Sequence, residues 1–403
     1  MLRSMYSGIS GLKNFQTKLD VIGNNIANVN TFGFKKGRVT FKDTMSQMVS
    51  GASAATDNRG GKNANQVGLG STLATVDTVH TGSSLQTTGR SLDLGIDGDG
   101  YFVVSQNGAN MYTRAGNFYL DDKGSLVNAD GLKVQAFKED GTIGDVAINV
   151  NAVLPAITTN RISFSENLSA NAIAGSVFSQ QIKVVDDMGE SLAATVYFQK
   201  STDIDTENEW AVYINEDPTV NTDAESITTL TFDEDGNFDN STENEITLDL
   251  FDPANTSTNP ITLDFSALTQ YEGSSTALVD PSGNTEGKLE SYNIGSLGEI
   301  NGVYSNGEII QLGQIAIAKF SNTSGLTKTA NNLFQESINS GTPDINVAGE
   351  GRGILSSGSL EMSNVDLAEE FTDMIVAQRG FQANTRIITT SDEILQELVN
   401  LKR

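Results

Sequence analysis

Two apolar stripes, one at each end of the chain, constrain the fold more than anything between them. Near the N-terminus Leu2, Met5, Ile9, Leu12, Leu19 and Ile26 follow alternating steps of three and four residues, with Gln16 and Gly23 in the interrupted slots. Phe15, Ile22 and Val29 widen that stripe. Near the C-terminus Leu367, Phe371, Met374, Phe381, Ile388, Leu395 and Val399 keep a four-three step, with Gln378, Thr385 and Asp392 in the polar slots. Such spacing lines apolar side chains along one seam of a helix, as in a coiled coil. It predicts helices over 2–29 and 364–401. Gly8, Gly11 and Gly23 weaken the first by up to about 1 kcal/mol each, so it needs a partner. Asn28, Asn30 and Gly33 stop it and turn the chain outward. Ser363 or Asn364 can cap the second helix. Asp366, Glu369 and Glu370 suit its positive end, and Lys402 and Arg403 the other. The stretch Leu19 to Lys36 is expected to meet Leu367 to Leu401, which makes everything between an excursion from a pair of helices.

That excursion changes period. Residues 35–70 are expected as a linker, with a short helical turn near Phe34, Phe41, Met45 and Met48, beyond which the chain is too poor in apolar side chains to fold alone. From Leu92 onward short apolar runs alternate with Asp-, Asn- and Gly-rich turns, at Asp121 to Gly124 and Asp130-Gly131, which signals antiparallel β structure. A second β region over 156–287 has candidate strands Ile182 to Val185, Ala194 to Phe198, Trp210 to Ile214, Leu230 to Phe232 and Ile246 to Phe251, with Trp210 anchoring a core. Strands at Ile309-Ile310 and Ile315 to Ile317 are expected to complete the sheet begun at Leu92. The fold class is therefore mainly β. Two antiparallel β domains, the outer inserted in the inner, accompany an α-helical coiled-coil domain made from both termini. The expected division is 1–34 with 363–403, a linker over 35–89, an inner β domain of 90–155 with 288–362, and an outer β domain of 156–287.

Composition narrows the chemistry. The chain has no Cys and one His, His80, expected on a surface or loop, so no disulfide, zinc cluster, thiol nucleophile or multi-His metal site is available. Net charge is −26, which argues against nucleic-acid binding. The charge is uneven: residues 1–62 hold nine Lys/Arg against three Asp/Glu, and residues 186–290 hold two against 24. Most of those acids fall in turns or alternate with strand residues, as on a solvated face. Neither Asp203 to Glu209 nor Asp233 to Gly236 keeps the Gly and Glu register of a calcium loop. No apolar run reaches a membrane span, and the N-terminus lacks a secretory apolar core. No catalytic residue, metal ligand or cofactor site emerges. The two seams point instead to self-assembly, because heptad stripes can pack against copies of themselves.

Several blocks are similar to those of the axial proteins of the bacterial flagellum, which form its rod and hook. Asn24, Asn25, Ile26, Ala27 and Asn28, followed by Thr31, Gly33, Phe34 and Lys35, resemble their N-terminal signature. Thr88, Gly89, Arg90, Ser91, Leu92 and Asp93, with Gly98, Gly100, Tyr101 and Phe102, resemble a second block, and Tyr112 to Phe118 a third. Leu360 to Leu367, which includes Asn364 and Asp366, and Met374 to Arg379, which includes Gln378 and Arg379, resemble the C-terminal signature. The inserted β region and the length point to the hook branch, although the stretch near 50–63 is longer than usual there. The resemblance implies a homo-polymer built as a curved tube, exported through the flagellar type III apparatus without signal cleavage. It implies the rod, the hook cap and the hook–filament junction proteins as partners, and excludes a cofactor, nucleic acid and membrane insertion. A distal rod or hook-associated protein is the near alternative. An extracellular calcium- or ligand-binding adhesin is the distant one.

Overall fold

The computed structural model describes residues 2–401 except 56–58, 107, 139, 150–151, 203–207, 221–225, 234, 240–244 and 249–260. The expected helix-end pair Lys402 and Arg403, most of the Asp203 to Glu209 segment and the end of the Ile246 to Phe251 strand lie outside the described residues. The chain forms two units. The first takes Met1–Asn149, Asn293–Asn301 and Gln311–Arg403; the second takes Val150–Tyr292 and Gly302–Ile310.

The first unit is built on helices α1 (Leu2–Ala27) and α2 (Leu367–Leu401). They run antiparallel: Gly8 faces Ile388, Gly11 faces Asn384, Phe15 faces Gly380 and Lys18 pairs with Asp373. The cap of α2 is Asp366, whose Oδ1 accepts from the backbone of Ala368 at 2.8 Å and Glu369 at 3.3 Å. Asn364, an expected cap, instead joins distant segments, accepting from Lys36 N at 2.7 Å and donating to Val79 O at 2.8 Å.

The expected linker is folded. Gly37–Asp43 pairs antiparallel with Ser71–Thr78, and Ser46–Ser50 with Asn65–Gly68, so Phe41 and Met48 lie on strands rather than a helical turn. Two-stranded ribbons are marginal alone. The first leans on α1, where Asn14 Nδ2 donates to Ser71 Oγ at 2.8 Å and Val21 lies against Gly37. Low apolar content therefore did not prevent strand pairing: the first ribbon rests on α1, while the second is exposed on both strands.

Beyond the ribbons, Tyr101–Gln106 is the middle of an antiparallel sheet. Ala109–Thr113 lies on one side, and Lys133–Phe137 and Ile317–Lys319 on the other. Leu333–Gln335 pairs with Ala109–Thr113, so late strands complete a sheet begun early. Tyr101, Val103, Tyr112, Phe320 and Phe334 fill one core. Two further late strands return to early ones: Ile354–Ser357 pairs with Leu94–Asp97, and Ser359–Glu361 with Leu85–Thr87.

The second unit packs two sheets around Phe164, Phe198, Trp210 and Phe265. One is an antiparallel meander of Val177–Val185, Ser191–Lys200, Glu209–Ile214 and Thr228–Thr231. The other contains Arg161–Ser169 beside Ile261–Tyr271, and this pair is parallel, unlike the antiparallel pairing expected. Parallel neighbours need a long crossover, and the meander lies within that crossover. Many acids of this unit hold turns: Asp186 Oδ1 accepts from Met188 N and Glu190 N, and Asp233 Oδ1 from Asn237 N.

Gly33 tests the exit from α1. Its φ is +69°, and a Cβ there would lie 2.6 Å from the backbone of Arg114 and Ala115. Gly33→Ala is expected to lower stability by about 2 kcal/mol or more through clash and strain, read as a lower denaturation midpoint. Gly23→Ala, with nothing within 4 Å of its Cβ, is expected to raise it slightly.

Candidate assembly site

The helix pair meets along a seam that mixes small, polar and apolar groups, with Ile388 facing Gly8. On α1 it uses Gly8, Gly11, Phe15, Lys18, Ile22 and Asn25; on α2 it uses Glu370, Ala377, Gly380, Asn384 and Ser391. The glycines let the helices approach closely: a Cβ on Gly380 would lie 2.5 Å from the Phe15 ring, and one on Gly11 2.9 Å from Asn384. The sequence showed these glycines only as weak points in a helix. Their clustering opposite the polar Asn384 is visible only once the two helices are set side by side.

The apolar stripes read from the sequence are placed largely beside this seam. Ile22 is buried in it, while Met5, Leu12, Leu19, Ile26, Met374, Ile388 and Leu395 are half-buried. Ile9, Leu367, Phe371 and Phe381 are exposed, as are Tyr6, Ile375, Val376, Ile387, Ile394 and Val399. The side chain of Leu2 lies outside the described ones. Half of Phe371 and 55% of Val376 face outward. One helix pairing covers one side of each helix, and these helices carry apolar residues on more than one side.

The signature residues hold the root of the pair. Asn25 binds both backbone groups of Gly37 at 2.9 Å and reaches Glu370 at 3.2 Å. Burial raises the pKa of Glu370, and the Asn25 bond works against that shift. Asn28 donates to Asn24 O and accepts from Thr31 Oγ1, which closes the end of α1 at Ala27. Gly33 N donates to Glu361 O at 2.8 Å, and the buried Phe34 ring lies 4.1 Å below Lys328 Nζ. Gly89, at φ +75°, donates to Gly358 O, and Arg90 pairs with Asp93 at 3.0 Å and donates to Phe118 O at 2.7 Å. Gln378 and Arg379 are exposed on α2.

Under that root lies a buried charge cluster that residue patterns did not reveal. Glu361 is 1% exposed; its Oε1 accepts from Lys35 Nζ at 2.6 Å and its Oε2 from Arg114 Nη1 at 3.1 Å. Ser83 N also donates to Glu361, and Lys35 Nζ donates to Thr81 O at 2.8 Å. Burial lowers the Lys35 pKa, opposed by Glu361 and assisted by Arg114. His80 is half-buried beside this cluster rather than on the surface: its Nδ1 lies 2.7 Å from the Tyr101 hydroxyl. Burial, then Lys35, Arg114 and Lys328, pull its pKa down to about 4. Arg114 and Glu361 sit inside recognised blocks, but nothing in their spacing paired them.

Matches to protein families span the chain. Residues 5–35 match the flagella basal body rod protein family, and 356–401 the C-terminal region of the flagellar basal body rod FlgEFG proteins. Residues 95–168 match the D1 domain of flagellar hook protein FlgE/F/G, and 149–280 the D2 domain of flagellar basal body protein FlaE. The flagellar hook protein FlgE of Borreliella burgdorferi is 40% identical over 447 residues, covering all of both chains. The flagellar basal-body rod protein FlgG of Bacillus subtilis is also 40% identical over 405 residues, again with full coverage of both. Among solved structures, Helicobacter pylori flagellar hook protein FlgE2 shares the fold, with a TM-score of 0.52 at 16% identity, over 69% of this chain and 100% of that one. The chain belongs to the flagellar rod and hook protein family. Within that family it is a structural subunit of the flagellar hook, as its full-length likeness to hook proteins of Borreliella burgdorferi and Treponema pallidum supports.

Two outcomes follow from the buried cluster. Glu361→Gln strands two buried cations and is expected to cost about 3–5 kcal/mol in chemical denaturation. His80 is neutral in the folded chain down to about 4, whereas its ordinary value is 6.5. Between those values the unfolded chain binds the extra proton, so stability falls as pH drops through that window. That part of the pH dependence is expected to vanish in His80→Gln, measured by denaturation at pH 7 and pH 5.

Proposed function

We propose that copies of this chain polymerise through the apolar faces their helix pairs leave open. The product is a curved tube that acts as a flexible joint, passing torque from rod to filament. The single observation carrying this reading is the exposed apolar surface of α2, with Phe371, Ile375 and Val376 each at least half exposed. Soluble chains rarely leave such a row bare unless something covers it. The interface residues of this reading are Leu2, Met5, Ile9, Leu12, Leu19, Ile22 and Ile26 on α1, and Leu367, Phe371, Met374, Phe381, Ile388 and Leu395 on α2. The acidic face of 186–290 suits sliding contact between neighbouring copies, because few apolar contacts have to break as the tube bends.

The same reading has the subunit leave the cell through the type III export apparatus without signal cleavage. Outside, it adds beneath the hook cap and joins rod at one end and junction proteins at the other. It works without catalysis, cofactor, nucleic acid or membrane insertion; no described helix is long and apolar enough to cross a membrane.

Phe371→Ser combined with Val376→Ser tests the interface. Burying each such side chain contributes about 1.5–3 kcal/mol, so the critical concentration for polymerisation is expected to rise at least about tenfold. Sedimentation measures that rise, and far-UV circular dichroism of the monomer is expected to stay unchanged. Polymerisation at the wild-type concentration would overturn the reading. In a deletion strain, electron microscopy is expected to show rods without hooks; loss of the rod itself would favour a rod shaft. Replacing Asp and Glu of 186–290 by Lys is expected to alter tube curvature.

A further inference from the structure

The first unit holds a cavity of about 490 Å³ where four segments meet. They are the exit of α1 at Asn30 to Phe32, the strand end at Thr113 to Asn117, the turn at Asn128 to Asp130 and the turn at Asn331-Asn332. That volume is in the range of small-molecule sites. Among the described residues no Lys or Arg lines it, and its one carboxylate, Asp130, already accepts from Asn331 Nδ2 at 2.9 Å. An anion finds no countercharge here, and a cation finds a single carboxylate with one oxygen engaged. The lining is instead rich in amides, with Phe32, Ala115 and Ala129 as an apolar wall.

Three of the amides have partners that admit only one orientation. Asn128 Oδ1 accepts from the backbone of Asp130 at 3.0 Å and of Leu132 at 2.9 Å, so Nδ2 is its free end. Asn331 Nδ2 donates to the Asp130 carboxylate and Asn332 Nδ2 to Phe32 O at 3.2 Å, so the oxygen of each is free. Turning any of them over would set like against like, a donor on a donor or an oxygen on an oxygen. Those three free ends have no partner among the described residues. Asn331 is exposed, and Asn128 and Asn332 are half-buried, so a solute can reach them. The buried Thr113 hydroxyl steadies the arrangement: it accepts from Ala115 N at 3.0 Å and donates to Asn332 O at 3.1 Å. The cavity thus presents one oriented N–H donor group and two oriented acceptors on turns that are already tied down, which lowers the ordering cost of a ligand.

A ligand that matches this lining is neutral, carries donors and acceptors on more than one side, and has an apolar face. An extended peptide offers its backbone groups in a row and suits a strand edge. Here the groups converge from separate turns. A sugar ring suits them better, because each hydroxyl both donates and accepts and the ring faces carry C–H groups. We propose that this cavity binds a neutral saccharide through one pyranose unit, with Asn128 Nδ2 as donor, Asn331 and Asn332 Oδ1 as acceptors and Phe32 as the apolar wall.

Asn128→Asp isolates the claim, because its carboxylate still accepts from Asp130 N and Leu132 N while the free donor is gone. Soluble, ¹⁵N-labelled chain at pH 7 is titrated separately with glucose, galactose and N-acetylglucosamine. The side-chain amide signals of Asn128 and Asn332 are expected to move saturably with at least one sugar, at half-saturation in the millimolar range. In Asn128→Asp, with far-UV circular dichroism unchanged, the Asn332 signal is expected to need about threefold more sugar or beyond. Phe32→Leu keeps the backbone oxygen that Asn332 uses and is expected to weaken binding as well. Absence of saturable movement with all three sugars, or an unchanged half-saturation in either variant, would overturn the proposal. Movement with triglycine amide and with no sugar would overturn it too, and would mark a peptide site instead.

Discussion

A single buried carboxylate gathers the early and late parts of the first unit. Glu361 receives Lys35 from the exit of α1, Arg114 from the central sheet and Ser83 N from the segment before Leu85–Thr87. Its backbone oxygen accepts from Gly33 as well. A charge in the interior is tolerated only where partners surround it, so each of those segments has to arrive correctly before any is stable. The cost of burial then becomes positional information. The chain leaves α1 at one angle, and α2 begins six residues after Glu361, just past the Asp366 cap.

From that root the two helices extend as a pair whose contact is deliberately slight in apolar terms. Gly8, Gly11, Ala377, Gly380 and Ser391 bring backbones together but bury little side-chain area. The larger residues, Phe371, Ile375, Val376 and Ile394, remain outside. Hydrophobic stabilisation scales with the apolar area removed from water, and the pairing leaves these larger side chains in water. The polymerisation proposed above needs that division. A pair satisfied internally would have no reason to join a tube, and a pair with no internal register would present its faces at random.

The sequence made the helices and the sheets legible through period, and the turns through chemistry. Asp121, Asp186 and Asp233 each precede a Gly by three residues, and each accepts backbone donors in the turn it starts. Trp210 is buried as its strand pattern implied. The phase of the helix seam was not legible. Apolar spacing reports every apolar face, including those the pairing leaves exposed, and the intramolecular seam is marked in part by small residues that a periodicity count ignores. The ribbon pairing Gly37–Asp43 with Ser71–Thr78 was hidden for a related reason: it leans on α1, which its own composition does not show. The Lys35–Glu361–Arg114 cluster joins residues 326 and 247 positions apart, and no local pattern carries such a pairing.

The polar contacts along the helix pair also bear on how such a subunit could travel. Lys18–Asp373 and Lys36–Glu369 are partly exposed, and exposed ion pairs contribute about 0–1 kcal/mol each. The seam adds such pairs and glycine contacts to the buried Ile22 and the Asn25–Glu370 bond. The cores around Tyr101 and Phe164 are aromatic, dry and far more expensive to disrupt. The terminal helices therefore bury fewer large apolar side chains within the chain than those cores do. That difference follows from where their large apolar side chains were placed, on faces the pairing leaves exposed.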